Sequence, residues 1–292
     1  MNHPAFFSDC EHMIRSHSSS FYKAFSFLES PKREAVHVMY AFCRMIDDSV
    51  DEPERSPYTL EELEDRFRSL ESAEGHFIWP ALRWLFSEFA LSPEPYFLQM
   101  AGQRLDTSLT RYDTVEQLEH YCYLVAGTVG SMLVPILHGG RVGERLAESA
   151  VYLGKAMQIV NIIRDIGEDC QRGRRYIPLE LMQQYGCTER DFENGTVHPG
   201  FIRMLEHLME LAGSWLQLGL RELEQYPATS AFCVELAAQT YMAILDEVRA
   251  SRYQVFRQRA VVSDKAKLSI LYGLLQRYPQ LTQEAQARLA AL

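Results

Sequence analysis

Apolar residues recur at spacings of three and four along most of the 292-residue chain. That is the period of an α-helix with one buried face. The pattern predicts helices over roughly 5–16, 31–50, 59–71, 77–90, 93–108, 114–136, 143–167, 178–184, 200–225, 229–253 and 264–276. Strand alternation and hairpin dipeptides are nearly missing; Asn194-Gly195 sits among polar residues, not between two extended runs. Breakers mark the joints. Pro31 opens a helix with Glu34 behind it, Glu52-Pro53 through Pro57 is a loop, and Ser92-Pro93 and Gly139-Gly140 are stops. Gln171 to Pro178 forms a basic, glycine-containing connection. No stretch reads as an interdomain linker, and no period of 20–50 residues repeats. One all-helical domain over 1–292 is the simplest organisation.

Two of these apolar helices carry polar stripes. Tyr40, Arg44, Asp47, Asp48 and Asp51 fall at i, i+4, i+7, i+8 and i+11, which places them on one face of a helix otherwise rich in Val36, Val38, Met39 and Phe42. Carboxylates this close repel each other by about a few tenths of a kcal/mol per exposed pair. If partly buried they need a counter-charge. The second stripe is Gln158, Asn161, Asp165 and Asp169, surrounded by Ile159, Val160, Ile162, Ile163 and Ile166. A helix this apolar is buried on most sides, so its polar stripe must face solvent in a cleft, a metal, or the other stripe. Hard divalent cations take oxygen ligands, and Mg²⁺ typically uses one or two carboxylates together with substrate phosphates and water. Basic groups lie beside the stripes: Arg44, Arg164 and the loop Arg172-Gly173-Arg174-Arg175, while Arg257, Arg259, Lys265 and Lys267 follow a late helix. Each of these basic residues could equally be a solvated or ion-paired side chain.

Composition narrows the classes. There are 29 Lys plus Arg against 39 Asp plus Glu, a formal net charge of -10, with 47% hydrophobic residues. This is ordinary globular usage, and the acidic balance argues against a nucleic-acid partner, which requires basic stripes. The six cysteines (Cys10, Cys43, Cys122, Cys170, Cys187, Cys233) form no CxxC pair and sit in apolar or helical contexts, as reduced thiols in a cytoplasm do. The run beginning Met1-Asn2-His3-Pro4 has no basic stretch followed by an apolar core, so no secretory leader is expected. Tyr121 to Leu137 is uncharged but short for a spanning helix, and it contains Gly127, Gly130, Ser131 and Pro135; a buried helix is expected there.

Six segments, in order, resemble the squalene/phytoene synthase family: His17 to Phe25 (HSSSFYKAF), YAFCRMIDDSVDE at 40–52, YCYLVAGTVG at 121–130, QIVNIIRDIGED at 158–169, RRYIP at 174–178 and YMAILDEVRASRYQVF at 241–256. The likeness spans about residues 8–275. It implies an all-α isoprenoid (terpenoid) synthase fold, a single helical bundle around a central cavity. It implies that Asp47, Asp51, Asp165 and Asp169, assisted by Asp48 and Asn161, hold two or three Mg²⁺ ions that bind diphosphate. By the same resemblance Arg44, Arg164, Tyr40 and Tyr241 contact diphosphate oxygens, Gln158 lines the reaction zone, and Asp106 in QRLDTSLTRY is a weaker acidic candidate. His17, Ser18, Ser19 and Ser20 form a flap; relatives often carry Lys there, so no cation is assigned at Ser19. Phe21, Phe25, Tyr121, Val125 and Gly130 are substrate-binding candidates. Gly127 and Gly130 would let a long chain pass close to backbone, although core packing explains them equally well.

The implied activity is that of a prenyltransferase in isoprenoid and carotenoid biosynthesis. Two farnesyl diphosphates join through a cyclopropylcarbinyl diphosphate (presqualene diphosphate), and a second ionisation gives a C30 hydrocarbon. Phe25 is bulky where phytoene synthase-like chains tend to be small, and the wording looks most like bacterial dehydrosqualene (4,4'-diapophytoene) synthases. Dehydrosqualene is therefore the expected product. The alternatives are phytoene, squalene (the one case needing NADPH) and plain hydrolysis to farnesol. His37 replaces an aromatic and bears on cavity shape. Expected partners are farnesyl diphosphate and diphosphate, no nucleic acid, and peripheral membrane contact for product release from a cytoplasmic enzyme. A ferritin-like di-iron bundle needs two ExxH motifs, and only Glu34-Ala35-Val36-His37 exists.

Overall fold

The structure, a computed structural model, describes residues 4–281. Met1 to His3 and residues 282–292 lie outside it, so the reading of the chain start and the ends of the 1–292 domain are not covered. Fourteen α-helices are described: α1 (Ala5–His17), α2 (Ser19–Phe25), α3 (Lys32–Asp51), α4 (Leu60–Arg68), α5 (Ile78–Glu88), α6 (Glu94–Leu105), α7 (Val115–Cys122), α8 (Thr128–His138), α9 (Glu144–Gln171), α10 (Leu179–Tyr185), α11 (Glu189–Glu193), α12 (Pro199–Leu220), α13 (Ala228–Ala250) and α14 (Asp264–Leu275). Among the described residues there is no strand, only an isolated bridge between Arg111 and Arg175.

Local signals place the ends. Pro31 precedes the first residue of α3. Thr59 with Glu62 and Thr114 with Gln117 form reciprocal capping boxes at α4 and α7. Gly139 and Gly186 close α8 and α10 in the left-handed region, at φ 75° and 68°. The apolar period missed α2 and α11, which at seven and five residues are too short to show it. The expected helix over 114–136 is one rod in space, but a π-helical turn over Tyr123–Gly127 separates α7 from α8. The helix expected to reach 225 ends at Leu220, and the one expected to end at 167 continues to Gln171.

α9 is the central element. It packs against α12, α8, the π turn and α13. α3 packs on α1, α5, α6 and α8, and α2 lies on α13. Two apolar clusters result, one centred on α3, α5 and α6 and the other on α9 and α12. Val115–His138 and Ala228–Ala250 are long and apolar enough to cross a bilayer, but 56% and 67% of their most apolar windows are buried inside the protein. This agrees with the buried helix expected at 121–137.

Gly130 serves helix contact, as the packing alternative expects, and also lines the apolar cavity. A Cβ on Gly130 would stand 2.0 Å from the carbonyl oxygen of Ala150 in α9, and one on Gly154 would stand 2.1 Å from that of Ala126. The two helices therefore touch backbone to backbone. His37 lines neither cavity; it is buried on α3 with its ring 5.9 Å from that of Tyr22 in α2. Burial pushes its pKa down to about 4.

Gly130→Ala should destabilise the fold by about 3 kcal/mol, because backbone cannot yield as a flexible side chain can. Gly213→Ala, where an added Cβ meets nothing within 4 Å, should be neutral or stabilising by up to about 1 kcal/mol. Urea unfolding of both variants measures the contrast.

Candidate functional site

α3 and α9 face each other across a polar cavity of about 270 Å³ that adjoins an apolar one of about 450 Å³. Arg44, Asp47, Val125, Gln158, Asn161, Arg164 and Arg259 line both. Asp51, Asp165 and Asp169 line the polar cavity, with Asp106, Tyr121, Gln103, Glu168, Arg172, Arg174 and Tyr176. His17, Ser18, Ser19 and Ser20 border the apolar cavity, and Phe21, Phe25, Tyr40, Gly130 and Tyr241 wall it. The two stripes read from the sequence thus meet. Asp48 is the exception: it lines neither cavity and forms an ion pair with Arg44 one helical turn earlier. Five residues at i, i+4, i+7, i+8 and i+11 span more arc than one cavity wall, so the residue at i+8 falls at the edge.

The carboxylates have two kinds of partner. Asp51 accepts from Arg172 Nη1 at 2.8 Å and from Arg174 Nη1 at 2.6 Å. Asp165 accepts from Arg164 Nε at 2.7 Å and from Arg259 Nε at 2.8 Å. Desolvation opposes ionisation of Asp165, but the two arginines outweigh it and hold its carboxyl below the ordinary value. Asp47 and Asp169 have no such clamp. Desolvation pushes Asp47 up to about 8, against the pull of Arg44 and helped by Asp51 and Asp48. Desolvation and then the neighbouring Asp165 charge push Asp169 up to about 7. Gln103 Nε2 donates to Asp47 Oδ1 at 2.6 Å and orients that carboxylate.

Two buried polar atoms at the junction lack a partner among the described residues. Arg44 Nε is a donor left open, and Asn161 Oδ1 is an acceptor left open. Orphans of this kind call for a ligand, because an unpaired buried group costs about 1–3 kcal/mol. The donor set suits Mg²⁺: hard carboxylate oxygens and an open amide oxygen around one cavity. No three carboxylates among the described residues are close enough to enclose a cation unaided. Mg²⁺ characteristically leaves those positions to phosphate and water.

Several side chains of the chamber carry no mark in the sequence pattern. Arg259 reaches Asp165 from beyond α13. Arg172 and Arg174 of the cationic loop reach Asp51, but Arg175 turns away into the protein, bonding the Ile177 carbonyl and Glu189. Asp106 accepts from Tyr121 Oη at 2.9 Å and from Tyr176 Oη at 2.8 Å, inside a stack with Tyr112. Burial raises the pKa of Asp106 despite these bonds. Nothing in the spacing of Gln103 or Tyr176 marks them, since their partners lie 56 and 70 residues away.

Above the carboxylates, Phe21 packs edge-on to Tyr241 at 5.4 Å and lies 5.6 Å from Phe25. The short α2 is thereby fastened to α13, and Tyr241 lines the apolar cavity together with Arg164. One aromatic wall therefore runs from the flap to the arginine of the second stripe.

The pattern of the squalene/phytoene synthase family matches residues 14–266. The phytoene synthase of Arthrospira platensis is 34% identical over 93% of this chain and 94% of its own length. A crystal structure of a dehydrosqualene synthase in complex with ligand superposes with a TM-score of 0.88 at 31% identity, covering 94% of this chain and 97% of that one. The squalene synthase HpnC from Alicyclobacillus acidocaldarius superposes at 0.76 with 26% identity, over 85% and 94% of the two chains.

Asp106→Ala would leave two buried phenols without an acceptor. It should lower stability by about 2–4 kcal/mol, and Tyr176→Phe by about 1 kcal/mol. Urea denaturation followed by circular dichroism checks both; an unchanged Asp106→Ala would show that the cluster does not support the fold.

Proposed function

The chain belongs to the squalene/phytoene synthase family, and on that premise we propose that it joins two farnesyl diphosphates head to head into dehydrosqualene. The carrying observation is the two-part cavity, in which a carboxylate and arginine chamber opens through Arg44, Asp47, Gln158, Asn161 and Arg164 onto an apolar chamber. A prenyl diphosphate has the same two parts. The open Nε of Arg44, together with Arg164 and Arg259, receives diphosphate oxygens. Asp47, Asp51, Asp165 and Asp169 with Asn161 would hold two or three Mg²⁺ ions, whose charge neutralises the departing diphosphate when they are bound. Asp48 is left out of this set and acts on Arg44 instead.

Once diphosphate leaves, the allylic carbon is cationic and must meet the second prenyl double bond before it meets water. Phe21, Phe25, Met39, Val134 and Leu153 exclude water from that volume. The aromatic faces of Phe21, Phe25 and Tyr241 favour a cation at about 0.5–2 kcal/mol each. Tyr40 and Tyr241 flank the boundary, where they orient the diphosphate end. Carbon–carbon bond formation with loss of a proton gives the cyclopropylcarbinyl diphosphate. Its ionisation, ring opening and loss of a second proton give the linear triene. NADPH enters only if a hydride replaces that last proton loss, giving squalene.

Chain length is the open choice. Phe25, 2% exposed and on the cavity wall, supports a C15 substrate. The names of the sequence relatives favour the second reading, phytoene from two C20 units.

Purified full-length protein with Mg²⁺ and either farnesyl or geranylgeranyl diphosphate, with and without NADPH, separates the readings by gas chromatography with mass and ultraviolet detection. A C30 triene from farnesyl diphosphate, indifferent to NADPH, is expected. A C40 triene made in preference means phytoene, squalene made only with NADPH means the reductive branch, and farnesol alone overturns condensation. Asp47→Ala and Asp165→Ala should each lower turnover by about a thousand-fold or more with the helical circular dichroism unchanged; full activity in either would remove it from the metal site. Phe25→Ala should shift kcat/KM toward geranylgeranyl diphosphate by roughly ten-fold, and an unchanged ratio would reject the cavity-wall argument.

A further inference from the structure

Gln99 is a fully buried amide in the wall of the apolar cavity; it stands on α6 and is 1% exposed. Its Oε1 has no hydrogen-bond partner among the described residues. An unpaired amide oxygen in an apolar wall costs the folded state stability, and a methionine of similar length would not. Its place along the cavity follows from the contact of α3 with α6. Gln103 donates Nε2 to Asp47 Oδ1 at 2.6 Å. Gln99 lies four residues before Gln103, and Cys43 lies four residues before Asp47. The two pairs are therefore successive rungs, about 5.4 Å apart along each helix. Burial and then the Asp47 charge push the Cys43 thiol up, and the Gln99 amide beside it pulls the other way. Gln103 lines the polar chamber, Asp47 lines both, and Gln99 and Cys43 line the apolar chamber alone. The border between the chambers thus crosses α6 between its two glutamines.

The geometry points to Gln99 as the group on α6 that receives the positive charge of the ionised prenyl chain, its amide oxygen meeting the allylic carbons just inside the border. When diphosphate leaves, the bond from C1 to oxygen breaks with its electron pair on oxygen, and the charge left behind is shared between C1 and C3. Diphosphate in the polar chamber puts C1 at the border, and C3 lies two bonds deeper. A carbonyl dipole already fixed there stabilises the cation without reorganising. An amide oxygen is too weak a base to take the proton, and it does not capture the cation as an ester the way a carboxylate would. Phe21, Phe25 and Tyr241 approach the same charge from α2 and α13, whereas among the described residues of α6 the wall holds Gln99 alone. This role rests on the function proposed above, though not on which hydrocarbon follows.

Gln99→Met removes the oxygen and keeps the length of the side chain. In the full-length protein with Mg²⁺ and its preferred prenyl diphosphate, kcat should fall by roughly ten-fold or more with KM unchanged. The share of free prenyl alcohol should rise, because a cation less well held is more often lost to water. With Mg²⁺ and inorganic diphosphate present, titration calorimetry compares farnesyldimethylamine, which is protonated at neutral pH, with the uncharged methyl ether of farnesol. The variant should lose roughly ten-fold in affinity for the ammonium and nothing for the ether. Its melting temperature without ligand should be equal to the wild type's or higher, since the unpaired oxygen is gone. Unchanged kcat together with unchanged ammonium affinity overturns the proposal. A lower melting temperature with equal losses for both ligands overturns it too, because Gln99 then only shapes the wall. So does a smaller share of prenyl alcohol, because Gln99 would then hold the water that quenches the cation. A wild type that converts no prenyl diphosphate would refute the function instead, while selective loss of the ammonium in the variant would still place a cation at Gln99.

Discussion

Five aspartates line one chamber inside an apolar bundle, and the repulsion among four of them, Asp47, Asp51, Asp165 and Asp169, is the constraint around which the rest is arranged. Arginine relieves it for two of them, Asp51 through Arg172 and Arg174, and Asp165 through Arg164 and Arg259. The other two, Asp47 and Asp169, are held with pKa values pushed up to about 8 and 7 by desolvation and neighbouring charge. A cation is the natural relief for such a pair, and an anion is the natural partner for the arginines that would then be set free. The proposed Mg²⁺ and diphosphate would each answer the charge the other leaves.

Holding that charge in place requires stiff walls. α9 touches the π turn and α8 with backbone against backbone at Gly130 and Gly154. The π turn carries Val125 to the junction of the two cavities, while Tyr121 just before it reaches Asp106. Gln103 on α6 fixes Asp47 from the side. The aromatic wall through Phe21, Phe25 and Tyr241 lines the apolar chamber, which meets the polar one at Arg44, Asp47, Gln158, Asn161 and Arg164.

Much of this was legible in the sequence. The three- and four-residue period marked the long helices because each buries one face for many turns. The stripes at 40–51 and 158–169 stood out because carboxylates on an otherwise apolar helix need a reason. The resemblance in six ordered segments then carried the fold to its family. What escaped was short or distant: α2 and α11 have too few turns to show a period, and Arg259 sits 94 residues from the aspartate it clamps.

By itself, the sequence determined the long helices and that two of them carry acidic stripes, because both follow from local spacing and apolar contrast. Only the tertiary structure decided that Asp48 turns to Arg44, that Arg175 serves the loop and not the chamber, and that Gly130 and Gly154 serve helix contact. It also decided that Val261 and Lys267, far along the chain from the two stripes, line the apolar cavity. The physical reason is common to all of them. Helical period tells which face a residue occupies, but its partner is set by the helix packed opposite, and that choice is made by contacts between positions tens of residues apart.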